Sequence, residues 1–201
     1  MNRYEQLYSA VMSGLKKNLP AHLTYHDMGH TRLVLKMTSF LAVKEGVSEE
    51  NLYLLKTAAL YHDVGYRSGE KDHEAESCRI ARQELPEWGF RETEIEQICG
   101  MIMATKIPQK PKNQMERILA DADLEYMGTA KFEEISGQLF LELKHFNPEL
   151  SLKEWLDIKI NFIGKHSYHT RWCKRYREPL KRKNLEKLKD IREKLSDNLR
   201  G

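Results

Sequence analysis

The chain has 201 residues, 40% hydrophobic and 31% charged, with 33 Lys and Arg against 30 Asp and Glu for a formal net charge of +3. Such a length and composition suit one globular domain with a sizeable core and leave little room for two full domains. They exclude a low-complexity chain and a polyanion binder acting by overall charge. The three cysteines, Cys78, Cys99 and Cys173, lack CxxC spacing, which argues against a disulfide framework or a zinc knuckle and for a reducing compartment. The amino-terminal MNRYEQLYSAVMSGLKK has no signal-peptide core, and no apolar run is long enough to span a bilayer, so a cytoplasmic protein without a membrane partner is expected.

In chain order, nearly every segment has helical period. Tyr4, Leu7, Tyr8, Val11 and Leu15 mark an amphipathic helix that ends near Pro20. A second helix starts at Asp27, a good N-cap, and carries Leu33, Val34, Met37 and Leu41 to Gly46. Ser48, followed by two glutamates, starts a third that brings Leu52, Leu55, Ala59 and Leu60 up to His62. EKDHEAESCRIARQEL predicts a fourth, stopped at Pro86 and Gly89, and TEIEQICGMIMATK a fifth, closed by the prolines of IPQKP. NQMERILADADLEYMG, KFEEISGQLFLELKHF and LKEWLDIKINFIGKH repeat apolar residues at three and four, and the tail from Trp172 is helical in composition with an interruption at Pro179. Since no stretch alternates with period two, the expected fold class is all-α.

Four stretches put imidazoles and carboxylates in or at the ends of these helices: TYHDMGHT with His26 and His30, YHDVGY with His62 and Asp63, DHEAES with His73, and LADADLEYMG with Asp121 and Asp123. A lone histidine is more often a surface or hydrogen-bonded core residue than a ligand, and DAD alone reads equally as a helix N-cap with a spare acid. Taken together they read differently. Burying such groups unpaired costs several kcal/mol, yet LYHDVG and ILADADL place them directly after apolar runs. Neutral imidazole with carboxylate suits divalent ions from Mg²⁺ and Mn²⁺ to Fe²⁺ and Zn²⁺. HEAES is not a zincin motif, because HExxH would need histidine where Ser77 stands.

The order His30, His62-Asp63, Asp123 in an all-helical chain resembles the HD superfamily of metal-dependent phosphohydrolases, over roughly residues 24–128 and more weakly through FIGKHSYHT. The resemblance implies a single multi-helix HD-type domain over residues 1–170, with residues 171–201 as a basic helical extension. It implies one tightly held divalent ion (Mn, Mg, Fe, Ni, Co or Zn) on His30, His62, Asp63 and Asp123. Asp121 is the alternative last ligand, although the family pattern uses the aspartate of ADL. YHDMGH is also similar to the YHNxxH segment of cyclic-nucleotide phosphodiesterases, with Asp27 in place of the asparagine; this implies that His26 is the general acid and that His30 is a ligand. Asp63, bordering the ion's water, is a second catalytic candidate. A second metal in this family uses two further histidines; His73 falls where the first would lie, but MIMATK offers Thr105 and Lys106 in place of the second.

The expected activity is hydrolysis of a phosphate ester of a nucleotide or similar small metabolite, with His73, Lys106, Arg67 and His166 as candidate substrate contacts. The second class kept open is a nucleotide-sensing or interaction module of HD type with little catalysis, which turnover assays separate from the enzyme. The basic RWCKRYREPLKRKNLEKLKDIREK offers a nucleic-acid surface, but acids interleave from Glu186 onward and a solvated mixed-charge helix is the favoured reading.

Overall fold

The structure is a computed structural model that describes residues 2–69 and 71–197. It is all-α: the described residues form ten α-helices linked by turns and short 3-10 segments, and no strand occurs among them. No described helix is long and apolar enough to cross a membrane. The chain divides into two compact units, Met1–Asp123 and Leu124–Gly201, so the described residues from 171 onward fall in the same unit as residues 124–170.

The first unit begins with α1 (Arg3–Asn18), fixed by a reciprocal capping box between Asn2 and Glu5. Helix α2 (Met28–Lys44) starts where the Asp27 carboxylate accepts the His30 N–H at 2.8 Å, so the predicted cap holds and His30 lies in the first turn. Helix α3 (Glu49–Tyr61), capped by Ser48, is deeply buried in its second half: Leu54, Leu55, Ala58, Ala59, Leu60 and Tyr61 are all in the core, and it packs against α2 and α5 (Glu92–Met103). Such burial stabilises by about 25 cal/mol per Å² of apolar surface, and it holds the end of α3, with His62 and Asp63, in place.

Helix α4 (His73–Glu84) begins three residues later than the sequence pattern suggests. Asp72 takes a left-handed conformation, φ 53°, which breaks the helical path before His73; aspartate is among the few residues that enter this region readily. A 3-10 turn, Val64–Arg67, connects α3 to this segment. The glycine of YHDVGY is needed there for space rather than for its turn conformation: a Cβ on Gly65 would lie 2.1 Å from the His73 carbonyl oxygen. After α4, a 3-10 turn over Leu85–Trp88 ends at Gly89, φ 64°, as the Pro86 and Gly89 signals require. Helix α6 (Gln114–Leu124) is anchored at its start by Asn113 and Glu116, whose side chains and backbone bond reciprocally, and it delivers Asp123 at its other end.

In the second unit, α7 (Phe132–Phe146), α8 (Leu152–Lys165), α9 (Arg171–Tyr176) and α10 (Glu178–Asp197) follow a 3-10 turn over Glu125–Gly128. Helix α10 packs on α8 and on that turn, and buried Tyr168 donates to the carbonyls of Leu124 and Glu125. The break in the tail falls at Arg177, ahead of Pro179, because proline is accommodated in the first turn of a helix, where its missing N–H has no intrahelical partner.

Gly65→Ala is expected to destabilise the protein by about 1–3 kcal/mol through overpacking. At this chain length that corresponds to a Tm lowered by roughly 3–10 °C in thermal unfolding; an unchanged Tm would show that the turn and α4 are free to separate.

Candidate metal centre

His30 enters from the first turn of α2, His62 from the residue just after α3, Asp63 from the turn behind it, and Asp123 from the last turn of α6. Their ligand atoms converge. His30 Nε2 lies 3.2 Å from His62 Nε2, 3.1 Å from Asp123 Oδ1 and 3.4 Å from Asp63 Oδ2. His62 Nε2 lies 3.1 Å from Asp63 Oδ2 and 3.7 Å from Asp123 Oδ1. Asp121, two residues earlier on α6, is fully buried, and the clustered ligand atoms are those of His30, His62 and Asp123.

Three observations test whether such a group fits a metal. Ligands held about 2.1 Å from one centre stand about 3.0 Å apart at right angles and about 3.4 Å apart in a tetrahedron; four of the five distances fall in that range, and His62 Nε2 to Asp123 Oδ1, at 3.7 Å, lies just beyond it. The Nδ1–H of His62 donates to the Ala59 carbonyl at 2.8 Å, a bond that only this tautomer can make, so a neutral ring turns the Nε2 lone pair inward. Finally, Asp63 Oδ2 is buried and accepts no hydrogen bond although two imidazole nitrogens stand near it. The residues fit: His30, His62 and Asp123, with Asp63 beside them, could hold a divalent ion.

Burial alone would lower the His30 pKa, but the hydrogen bond to Asp123 and the negative charges of Asp63 and Asp123 outweigh it and push it up to about 10. His62 is raised by the same opposition, burial against the Asp63 charge. For Asp63 burial pushes upward, yet the imidazoles of His62 and His30 hold it well below the ordinary carboxylate range.

A ring of aromatic and polar side chains borders the group. Tyr25 packs on His30, with ring centroids 4.7 Å apart. Tyr66 stacks on His26 at 4.3 Å and on His73 at 4.1 Å, and its hydroxyl shares a 3.1 Å hydrogen bond with His26 Nε2. His73 Nε2 faces the other oxygen of Asp63 at 3.6 Å and Glu74 Oε1 at 3.4 Å. Ser77 Oγ donates to the His62 carbonyl at 2.8 Å and accepts the Gly65 N–H at 2.9 Å, so α4 clamps the His-Asp turn directly. Sequence reading missed Tyr66, Glu74 and Ser77 as site residues; the signal was their place in HDVGY and HEAES, the latter weighed for His73 and as a zincin pattern.

The other candidate contacts are engaged. Arg67 bonds to Glu84 at 3.0 Å, Glu84 also accepting from buried Tyr61, and Lys106 pairs with Asp72 at 2.7 Å. In the second unit, His166 ends α8, and its ring and carbonyl both meet the Lys181 ammonium.

An all-α unit with an ordered imidazole–carboxylate group at its helix ends defines a class of metal-competent helical domain. The chain matches the HD domain family over residues 27–127 and belongs to it. The crystal structure of a predicted HD superfamily hydrolase from an uncultured Thermotogales bacterium is similar at 18% identity, with a TM-score of 0.56, covering 99% of this chain and 97% of that one; this likeness concerns the fold. No curated protein matches the chain.

Ser77→Ala leaves every ligand in place but removes partners from two buried backbone groups, at a cost of about 2 kcal/mol or more. The Tm is expected to fall by roughly 5 °C or more. A neutral effect in thermal unfolding would show that the clamp carries no stability.

Proposed function

We propose that this chain is a metal-dependent phosphohydrolase acting on a phosphate ester of a nucleotide or similar small metabolite. The convergence of His30, His62, Asp63 and Asp123 is the observation that carries the reading, and family membership and the HD hydrolase of similar fold support it. A bound divalent ion supplies a water of lowered pKa and neutralises phosphoryl charge.

The chain's own residues do the rest. Asp63 has one oxygen directed at the ligand group and the other turned to His73, placing a proton acceptor beside the attacking water. His26, half-buried and fixed by Tyr66 through both stacking and a hydrogen bond, is the general acid that protonates the leaving oxygen. His73, stacked on the same tyrosine, and Lys106, once released from Asp72, are the substrate contacts in this unit; Arg67 braces α4 and is the weaker candidate. A single ion is the preferred stoichiometry, because Thr105 donates to the Ile102 carbonyl and Lys106 is a cation, so neither completes a second site.

The test is turnover by the full chain of phosphomonoester, phosphodiester and nucleotide panels with added Mn²⁺, Mg²⁺, Ni²⁺ or Co²⁺. His62→Ala and Asp63→Ala are expected to abolish both metal retention and turnover, and full activity in either would contradict the assignment. Nucleotide binding without turnover would establish the sensing module instead.

His26→Ala is expected to lower kcat by roughly 100-fold or more while metal content, measured by mass spectrometry, stays unchanged. Asp123→Asn is expected to lose the ion and Asp121→Asn to keep it. The reverse pattern would move the last ligand to Asp121.

A further inference from the structure

The second unit contains a feature that the metal chemistry does not use. Between α7 and α8 lies a half-enclosed cavity of about 180 Å³, walled by Phe132, Leu139, Trp155, Phe162 and Ile163. Lys159, on α8, is part of the same wall, and its side chain is only 8% exposed.

A lysine so placed is costly unless its charge is well satisfied. Here it is not. Among the described residues the ammonium, with three hydrogens to donate, meets two oxygens, Glu133 Oε2 at 3.3 Å and Ser136 Oγ at 3.5 Å, both long for a charge-assisted bond. The remaining neighbours are aromatic: the nitrogen stands 5.5 Å from the Phe132 ring centroid and 5.6 Å from that of Trp155. Glu133 is more than half exposed, so its carboxylate can return to water at little cost.

Apolar walls with one buried cation, held only by long contacts to oxygen, resemble in miniature a small-ligand pocket, in which most of the lining is hydrophobic and a few polar or charged groups fix orientation. A dry apolar cavity of about 150 Å³ accepts a benzene ring, so the volume here suits one ring or a short branched chain together with a head group. We propose that this cavity binds a small carboxylate with an aromatic or branched aliphatic body. The carboxylate replaces Glu133 on Lys159, and the body lies among Phe132, Leu139 and Trp155. This site is independent of the proposed hydrolytic centre.

The probe is phenylacetate, with toluene as its uncharged counterpart, each titrated into the full-length protein by calorimetry and by the shift of the Trp155 indole N–H resonance. Phenylacetate is expected to bind saturably and at least tenfold more tightly than toluene. Lys159→Met, which keeps the side-chain bulk, is expected to remove that preference while toluene still binds. Leu139→Trp, which fills the cavity, is expected to abolish both. Toluene binding as tightly as phenylacetate to the unaltered protein would reduce the feature to a packing void, a comparison that needs no variant to fold. Absence of saturable phenylacetate binding, or an unchanged affinity in Lys159→Met, would overturn the proposal.

Discussion

The constraint on which the first unit depends is the close approach of two buried imidazoles, the buried carboxylate of Asp63 and the partly buried carboxylate of Asp123, whose ligand atoms converge. Five of the pairwise distances lie between 3.1 and 3.7 Å, and one carboxylate oxygen, Asp63 Oδ2, is left with no hydrogen bond. Burying ionisable groups this close together is costly unless they are well paired. An arrangement with that cost persists only if the surrounding helices over-determine it, and the fold is best understood as the apparatus that does so.

Each ligand is fixed from behind. Asp27 caps α2 through the N–H of His30 itself, so the residue that starts the helix also sets the position of the ligand. The apolar face of α3 seats its last turn in the core, and the Ala59 carbonyl chooses the His62 tautomer. Helix α4 is pressed against the His-Asp turn so closely that only glycine fits at position 65, and Ser77 bonds to both sides of that turn. Stability in this region is concentrated where the proposed chemistry needs rigidity, in keeping with the requirement that reacting groups be preorganised. The Tyr66 arrangement with His26 and His73 extends the same rigidity to the groups that would handle protons and substrate.

Much of this was legible from the sequence because it rests on local chemistry. Asp27 and Ser48 announce helix starts, Pro86 with Gly89 announces a stop, and the apolar runs leading into HDVG and DADL mark where costly side chains enter a core. The order of His30, His62-Asp63 and Asp123 identified the group that the structure brings together. What stayed hidden depends on distance in space. Ser77 and Glu74 look like ordinary polar positions of an amphipathic helix until α4 is laid against the turn after α3. Gly65 reads as a turn residue, whereas its need is set by the His73 carbonyl. Arg67 reads as a phosphate contact, while its geometry ties it to Glu84. The left-handed Asp72 has no sequence signature strong enough to override the helical composition around it, and Lys159 is masked by the regular spacing of α8.

The central claim is that the four converging side chains hold one divalent ion. Anomalous diffraction from crystals of the full chain, grown after purification without chelator and soaked in Mn²⁺, tests it most directly. The account predicts one strong peak within coordination distance of His30 Nε2, His62 Nε2, Asp63 Oδ2 and Asp123 Oδ1, absent in crystals of Asp63→Ala. A peak bound elsewhere, or an empty centre with the four side chains unmoved at millimolar metal, would contradict it.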